Sequence, residues 1–98
     1  MPQHKSKNLP QELTSERGKT HGDWEMQAGT AHQLKTIIRN SVILRKQTTN
    51  HMLPAHRLEA LEMIAVKMSR ILWGNDDEPD HWDDIGGYSF LGKEGRTK

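Results

Sequence analysis

Asp80, Asp84 and Tyr88 are spaced i, i+4, i+8, so on a helix they line one stripe. Two carboxylates one turn apart, with no basic residue between them, repel each other. A hard divalent cation placed between them reverses this, because carboxylate oxygens suit Mg²⁺ or Mn²⁺. Glu59 and Glu62, three apart, form a second acidic pair on neighbouring turns of an earlier segment. Carboxylates contributed by two packed helices are a known way to build a metal site inside a bundle. The spacing therefore nominates Glu59, Glu62, Asp80 and Asp84 as metal ligands. Lys67 and Arg70 are candidate phosphate contacts, reaching a ligand through an oligomeric neighbour or a long side-chain path. Tyr88 and His21, the latter in His21-Gly22-Asp23-Trp24, are candidate substrate contacts. The plain reading competes with this one: glutamates at i and i+3 are common on surface helices, and an aspartate near a helix start complements the dipole.

Other chemistries fail on the residues. Asp76, Glu78 and Asp80 have the 1-3-5 spacing of a calcium loop, but position six is His81 and position twelve is Gly87, where a glycine and a glutamate are needed. The six histidines show no helical ligand spacing, and there is no cysteine for thiolate sites, disulfides or nucleophilic attack. Gly-x-Ser-x-Gly and phosphate-cradling glycine loops are absent.

The elements that must position these residues are helices. Ala28, Ala31, Leu34, Ile38 and Val42 recur at spacings of three and four, which predicts a first helix over about 23–46 with Asp23 as its cap. Pro54 opens a second over 54–73, whose core face is Leu58, Leu61, Ala65, Met68 and Leu72, bordered by Ile64 and Ile71, with Gly74-Asn75 as the stop. Pro79-Asp80 starts a third over roughly 80–91, with Trp82 and Ile85 toward the core. Gly86-Gly87 costs this helix about 1 kcal/mol per glycine. Either a close helix–helix contact offsets that cost or the helix ends there. The expected fold is all-α, a small bundle of about three helices forming one domain over 21–92. A flexible arm over 1–20 and a flexible basic tail over 93–98 flank it.

Only 33% of the 98 residues are hydrophobic, so the core is thin, and a domain this short is marginal alone. A homodimer or higher homo-oligomer is the expected remedy. The net charge of +1 hides a split: seven basic residues against Glu59 and Glu62 over 35–70, then six acidic and no basic residues over 74–91. Such a split can steer a polyanion to one side and a cation to the other. Nucleic-acid binding is disfavoured by the acidic segment and by only five aromatics for stacking. No apolar run approaches the ~20 residues of a membrane span. Met1–Leu9 lacks the apolar stretch of a signal peptide, which makes the cytoplasm, a host's if the chain is phage-encoded, the expected compartment.

The residues Arg17…His21-Gly22-Asp23, then Ala60-Leu61-Glu62-Met63-Ile64-Ala65-Val66-Lys67-Met68-Ser69-Arg70-Ile71, then Asp80-His81-Trp82-Asp83-Asp84-Ile85-Gly86-Gly87-Tyr88 resemble a family of small phage and prophage proteins. That layout is in turn similar to the MazG-like all-α nucleotide pyrophosphohydrolases. The resemblance implies a helical oligomer that uses helix-borne carboxylates and Mg²⁺ to cleave a nucleoside triphosphate to the monophosphate and pyrophosphate. Glu59 and Glu62 match the glutamate-rich helix of that family, and Asp80 with Asp83 or Asp84 its following acidic pair. Here the spacing is four where the family has three, and a second acidic pair is missing, so the scaffold can outlast the enzyme. The alternative expectation is a non-enzymatic phage protein that binds a host protein through the acidic Asp76–Asp84 surface.

Overall fold

A computed structural model describes residues 23–95, so the expectations for the 1–20 arm, for His21 and for residues 96–98 lie outside the described residues. Among the described residues there are three helices: α1 (Trp24–Thr49), α2 (Ala55–Trp73) and α3 (Pro79–Glu94). No strand occurs among the described residues. The fold is all-α, a small helical bundle.

Local chemistry explains each boundary. The Asp23 carboxylate accepts from the backbone N–H of Glu25 at 2.9 Å and of Met26 at 3.3 Å, taking up two of the donors that a helix start leaves unpaired. α1 then runs past Lys46, where the sequence pattern stops, because the Thr48 and Thr49 hydroxyls donate back to the carbonyls of Leu44 and Arg45. Asn50 closes it in the left-handed conformation, φ 61°, with its N–H on the Lys46 carbonyl at 2.9 Å. Pro54 sits just outside α2, its carbonyl accepting from Arg57 and Leu58. In α3 Pro79 occupies the first turn, where its missing N–H costs nothing, and Glu78 caps the Asp80 N–H.

α3 extends the expected 80–91 span to Glu94, so Gly86 and Gly87 lie in mid-helix and residues 93 and 94 belong to the helix rather than to a tail. The two glycines do not mark a close contact: a methyl group at either would meet nothing within 4 Å. The tight approach is at Gly92, where a Cβ would come 3.2 Å from that of Ala60.

α2 is the central element. α1 packs along one flank and α3 along the other, while α1 and α3 hardly touch. This arrangement keeps only part of the expected core face of α2, with Ala65 buried and Leu58 half-buried. Leu61, Met68 and Leu72 are exposed, and the buried α2 residues are Ala60, Glu62, Ala65 and Ser69. A helix with neighbours on two flanks buries its sides there, and the larger side chains stand on the free face between them. Trp82 is likewise exposed rather than in the core. In α1, Ala28 is exposed and Gln27 takes the inner position above Ala31, Leu34, Ile38 and Val42.

Candidate functional site

Each residue of an α-helix is turned about 100° from the last. On that basis Leu61, Met68 and Leu72 fall within a narrow sector of α2, as do Met26, Ile37 and Leu44 on α1. Two clefts open on the opposite side of α2. One, of about 210 Å³, is lined by Trp24, Gln27, Ala28, Ala31, His32 and Lys35 of α1 with Val66, Ser69 and Arg70 of α2. The other, of about 450 Å³, lies between α2 and α3 among His56, Glu59, Ala60, Met63, Tyr88, Leu91 and Gly95. The molecule thus has an apolar face and a polar, cleft-bearing face.

Every predicted site residue that is described can be located against these faces. Glu59 and Tyr88 share the larger cleft. Glu62 is buried and held by Arg39: the guanidinium Nη2 donates to Oε1 at 2.8 Å and Nε donates to Oε2. This two-pronged hydrogen bond, with help from Lys35, keeps the Glu62 carboxyl below its ordinary range against the opposing effect of burial. Asp84 is ion-paired to Lys67 Nζ at 2.7 Å across the α2–α3 seam, and that hydrogen bond holds its carboxyl low, again against partial desolvation. Lys67 therefore faces α3 and neutralises a predicted metal ligand. Arg70 lines the smaller cleft. Asp80 is exposed at the start of α3, beside the equally exposed Asp76, Asp77 and Asp83.

The register of the α2–α3 pair decides how far apart the carboxylates lie. Lys67 meets Asp84 and Ala60 meets Gly92, so Asp80 lies level with about residue 71 and Glu59 with about residue 92. That offset is some 12 residues along the axis, roughly 18 Å at 1.5 Å per residue. Mg²⁺ holds its oxygens at ~2.0–2.1 Å, so Glu59 and Asp80 of one chain do not share an ion. Among the described residues no group of three or more His, Asp or Glu is gathered closely enough to hold a metal.

Arg39, Gln27 and Lys35 are absent from the set that spacing nominates, although each contributes to the polar face. Gln27 carries a visible signal, because it sits four residues before Ala31 on the buried stripe, where an apolar residue is the rule. Arg39 carries none, since its partner is 23 residues away in sequence.

No helix among the described residues is long and apolar enough to cross a membrane. No protein-family model, curated protein or solved structure matches the chain.

Proposed function

We propose that this chain pairs with a second copy through its apolar face and binds a nucleoside triphosphate with Mg²⁺ on its polar face. The observation that carries the reading is the segregation itself. Met26, Ile37, Leu44, Leu61, Met68 and Leu72, all between 40% and 64% exposed, fall in narrow sectors of α1 and α2, while the cations Lys35 and Arg70 line the smaller cleft. Monomers seldom leave so much apolar surface in water.

Mg²⁺ commonly uses only one or two protein carboxylates, the remaining positions going to phosphates and water. Glu59, exposed and without an ion-pair partner among the described residues, and Glu62, one turn on, are the pair that would take it, with Arg39 released from Glu62 toward the phosphates. Asp80 and Asp84 then act through the field at the far end of the α2–α3 seam. When bound, the cation would offset charge on the phosphates and favour hydrolysis to the monophosphate and pyrophosphate. Titration calorimetry with dNTPs in the presence and absence of Mg²⁺, followed by assay of pyrophosphate release, tests this. Metal-dependent binding that Glu59→Gln weakens at least tenfold is the expected result, and no heat with any dNTP at millimolar concentration sinks the reading.

A second reading rests on a separate feature. Asp76, Asp77, Asp80 and Asp83 are exposed and have no ion-pair partner among the described residues, and Trp82, whose indole N–H donates to the Asp76 carbonyl at 2.8 Å, stands among them. An acidic surface with an aromatic at its centre suits a basic groove on another protein, such as a host factor. Charge reversal at Asp77 and Asp83 separates the two: it abolishes binding of a basic protein partner and leaves dNTP binding intact.

A further inference from the structure

The smaller cleft, between the first three turns of α1 and the last two of α2, contains a feature that neither folding nor the nucleotide reading accounts for. Gln27 is only 3% exposed, lines the cleft, and its amide nitrogen Nε2 has no hydrogen-bond partner among the described residues. A buried donor without an acceptor is destabilising, and the position belongs to the stripe that otherwise holds Ala31, Leu34 and Ile38, where an apolar side chain would fit at no such cost. The same cleft is lined by two half-buried cations, Lys35 and Arg70, neither within ion-pair distance of a carboxylate among the described residues. Lys35 acts on Glu62, and Arg70 on Asp84, only through the longer-range field. Trp24, 67% exposed, also lines it. Its other lining includes the small residues Ala28, Ala31 and Ser69, the last with its hydroxyl already donating to the Val66 carbonyl at 2.7 Å.

We infer that this cleft is a binding site for a small ligand that carries an oxyanion, a phosphate monoester or a carboxylate, next to a planar ring. Lys35 and Arg70 take the oxyanion, the one as a point charge and the other as a planar fork suited to two oxygens. The free Gln27 N–H donates to a second acceptor on the ligand, and the Trp24 indole stacks on the ring. At about 210 Å³ the space is below the usual range for drug-sized ligands, which limits the occupant to a single ring with its anionic substituent. The proposal needs neither Mg²⁺ nor a triphosphate, so it stands or falls apart from the nucleotide reading.

The test is calorimetric titration of the full chain in metal-free buffer with phenyl phosphate, benzoate and inorganic phosphate. Phenyl phosphate or benzoate binds at least tenfold more tightly than inorganic phosphate, because only they offer a ring to Trp24. The tighter of the two identifies the oxyanion. Arg70→Gln weakens the preferred probe at least tenfold, and Trp24→Ala removes its advantage over inorganic phosphate. Gln27→Leu gives the most telling result: binding weakens while the thermal midpoint rises, since the variant loses a buried orphan donor. A merely structural glutamine would show the opposite pattern, a lower midpoint with unchanged binding. Absence of binding by all three probes at millimolar concentration overturns the proposal, as does binding that Arg70→Gln and Gln27→Leu both leave unchanged.

Discussion

The two faces of the α1–α2–α3 array differ in what finishes them. Away from the apolar face two carboxylates are paired within the chain, Glu62 by Arg39 and Asp84 by Lys67, while Glu59, Lys35 and Arg70 have no ion-pair partner among the described residues. On the apolar face nothing within the described residues covers Ile37, Leu44, Leu61 or Leu72, which are between 43% and 64% exposed. A stable interface takes ~800 Å² from each partner. The thin core suspected from composition is therefore a matter of direction: the large apolar residues exist, but they stand on the outside of a single copy.

The largest effect is expected at the centre of the apolar face. Leu61→Glu combined with Leu72→Glu places two charges in each half of the proposed interface and should convert a dimer to a monomer. Sedimentation velocity at ~50 μM reads this directly, with a loss in affinity of 100-fold or more, since central interface residues each commonly contribute over ~2 kcal/mol. An unmodified chain that is already monomeric there refutes the pairing.

The next effect lies on the polar face. Arg39→Leu strands the buried Glu62 carboxylate, so the thermal midpoint should fall by several degrees, and adding Glu62→Leu should recover most of the loss. Lys67→Met should cost less, because Asp84, about half exposed, stays hydrated without its partner. Equal losses for the two would mean that burial does not distinguish the pairs.

Acid sharpens the same contrast. Glu62 and Asp84 both titrate below their unfolded values in the folded chain. The stability they contribute is therefore complete above the unfolded carboxyl values of ~4 and is lost as pH falls through the lower folded ones. The midpoint measured across pH 2–7 should be level above about pH 5 and decline below about pH 4. Arg39→Leu should make the decline shallower, as it removes the cause of the Glu62 shift.

The smallest effects separate open from closed positions on α3. Gly86→Ala and Gly87→Ala, where a methyl meets nothing, should each stabilise by up to ~1 kcal/mol. Gly92→Ala gains the same propensity but presses on Ala60 at 3.2 Å, so its midpoint should stay level or fall. Denaturant melts of the three variants decide the matter.

Local signals written within a turn or two of sequence were legible without coordinates. The Asp23 cap, the proline entries at 54 and 79 and the Gly74 stop all depend on contacts between near neighbours, as does the helix count. The i, i+4 stripe of Asp84 and Tyr88 was also legible, since helical periodicity alone sets it. Which side of α2 is buried was not, because periodicity identifies a stripe but not whether another helix of the same chain covers it. Leu61, Met68 and Leu72 form a sound apolar stripe that no helix among the described residues covers. The partners of Glu62 and Asp84, 23 and 17 residues away in sequence, likewise follow from the antiparallel registers of α1 on α2 and of α2 on α3. The three helices of the described residues and the residue types on each stripe follow from local sequence, although α1 and α3 each run about three residues past their expected ends. Tertiary packing alone sets the pairing of Glu62 and Asp84 with cations, the burial of Gln27 without a partner among the described residues, and the outward direction of the hydrophobic stripe. Those outcomes depend on which surfaces meet across the chain, and no local energy specifies that.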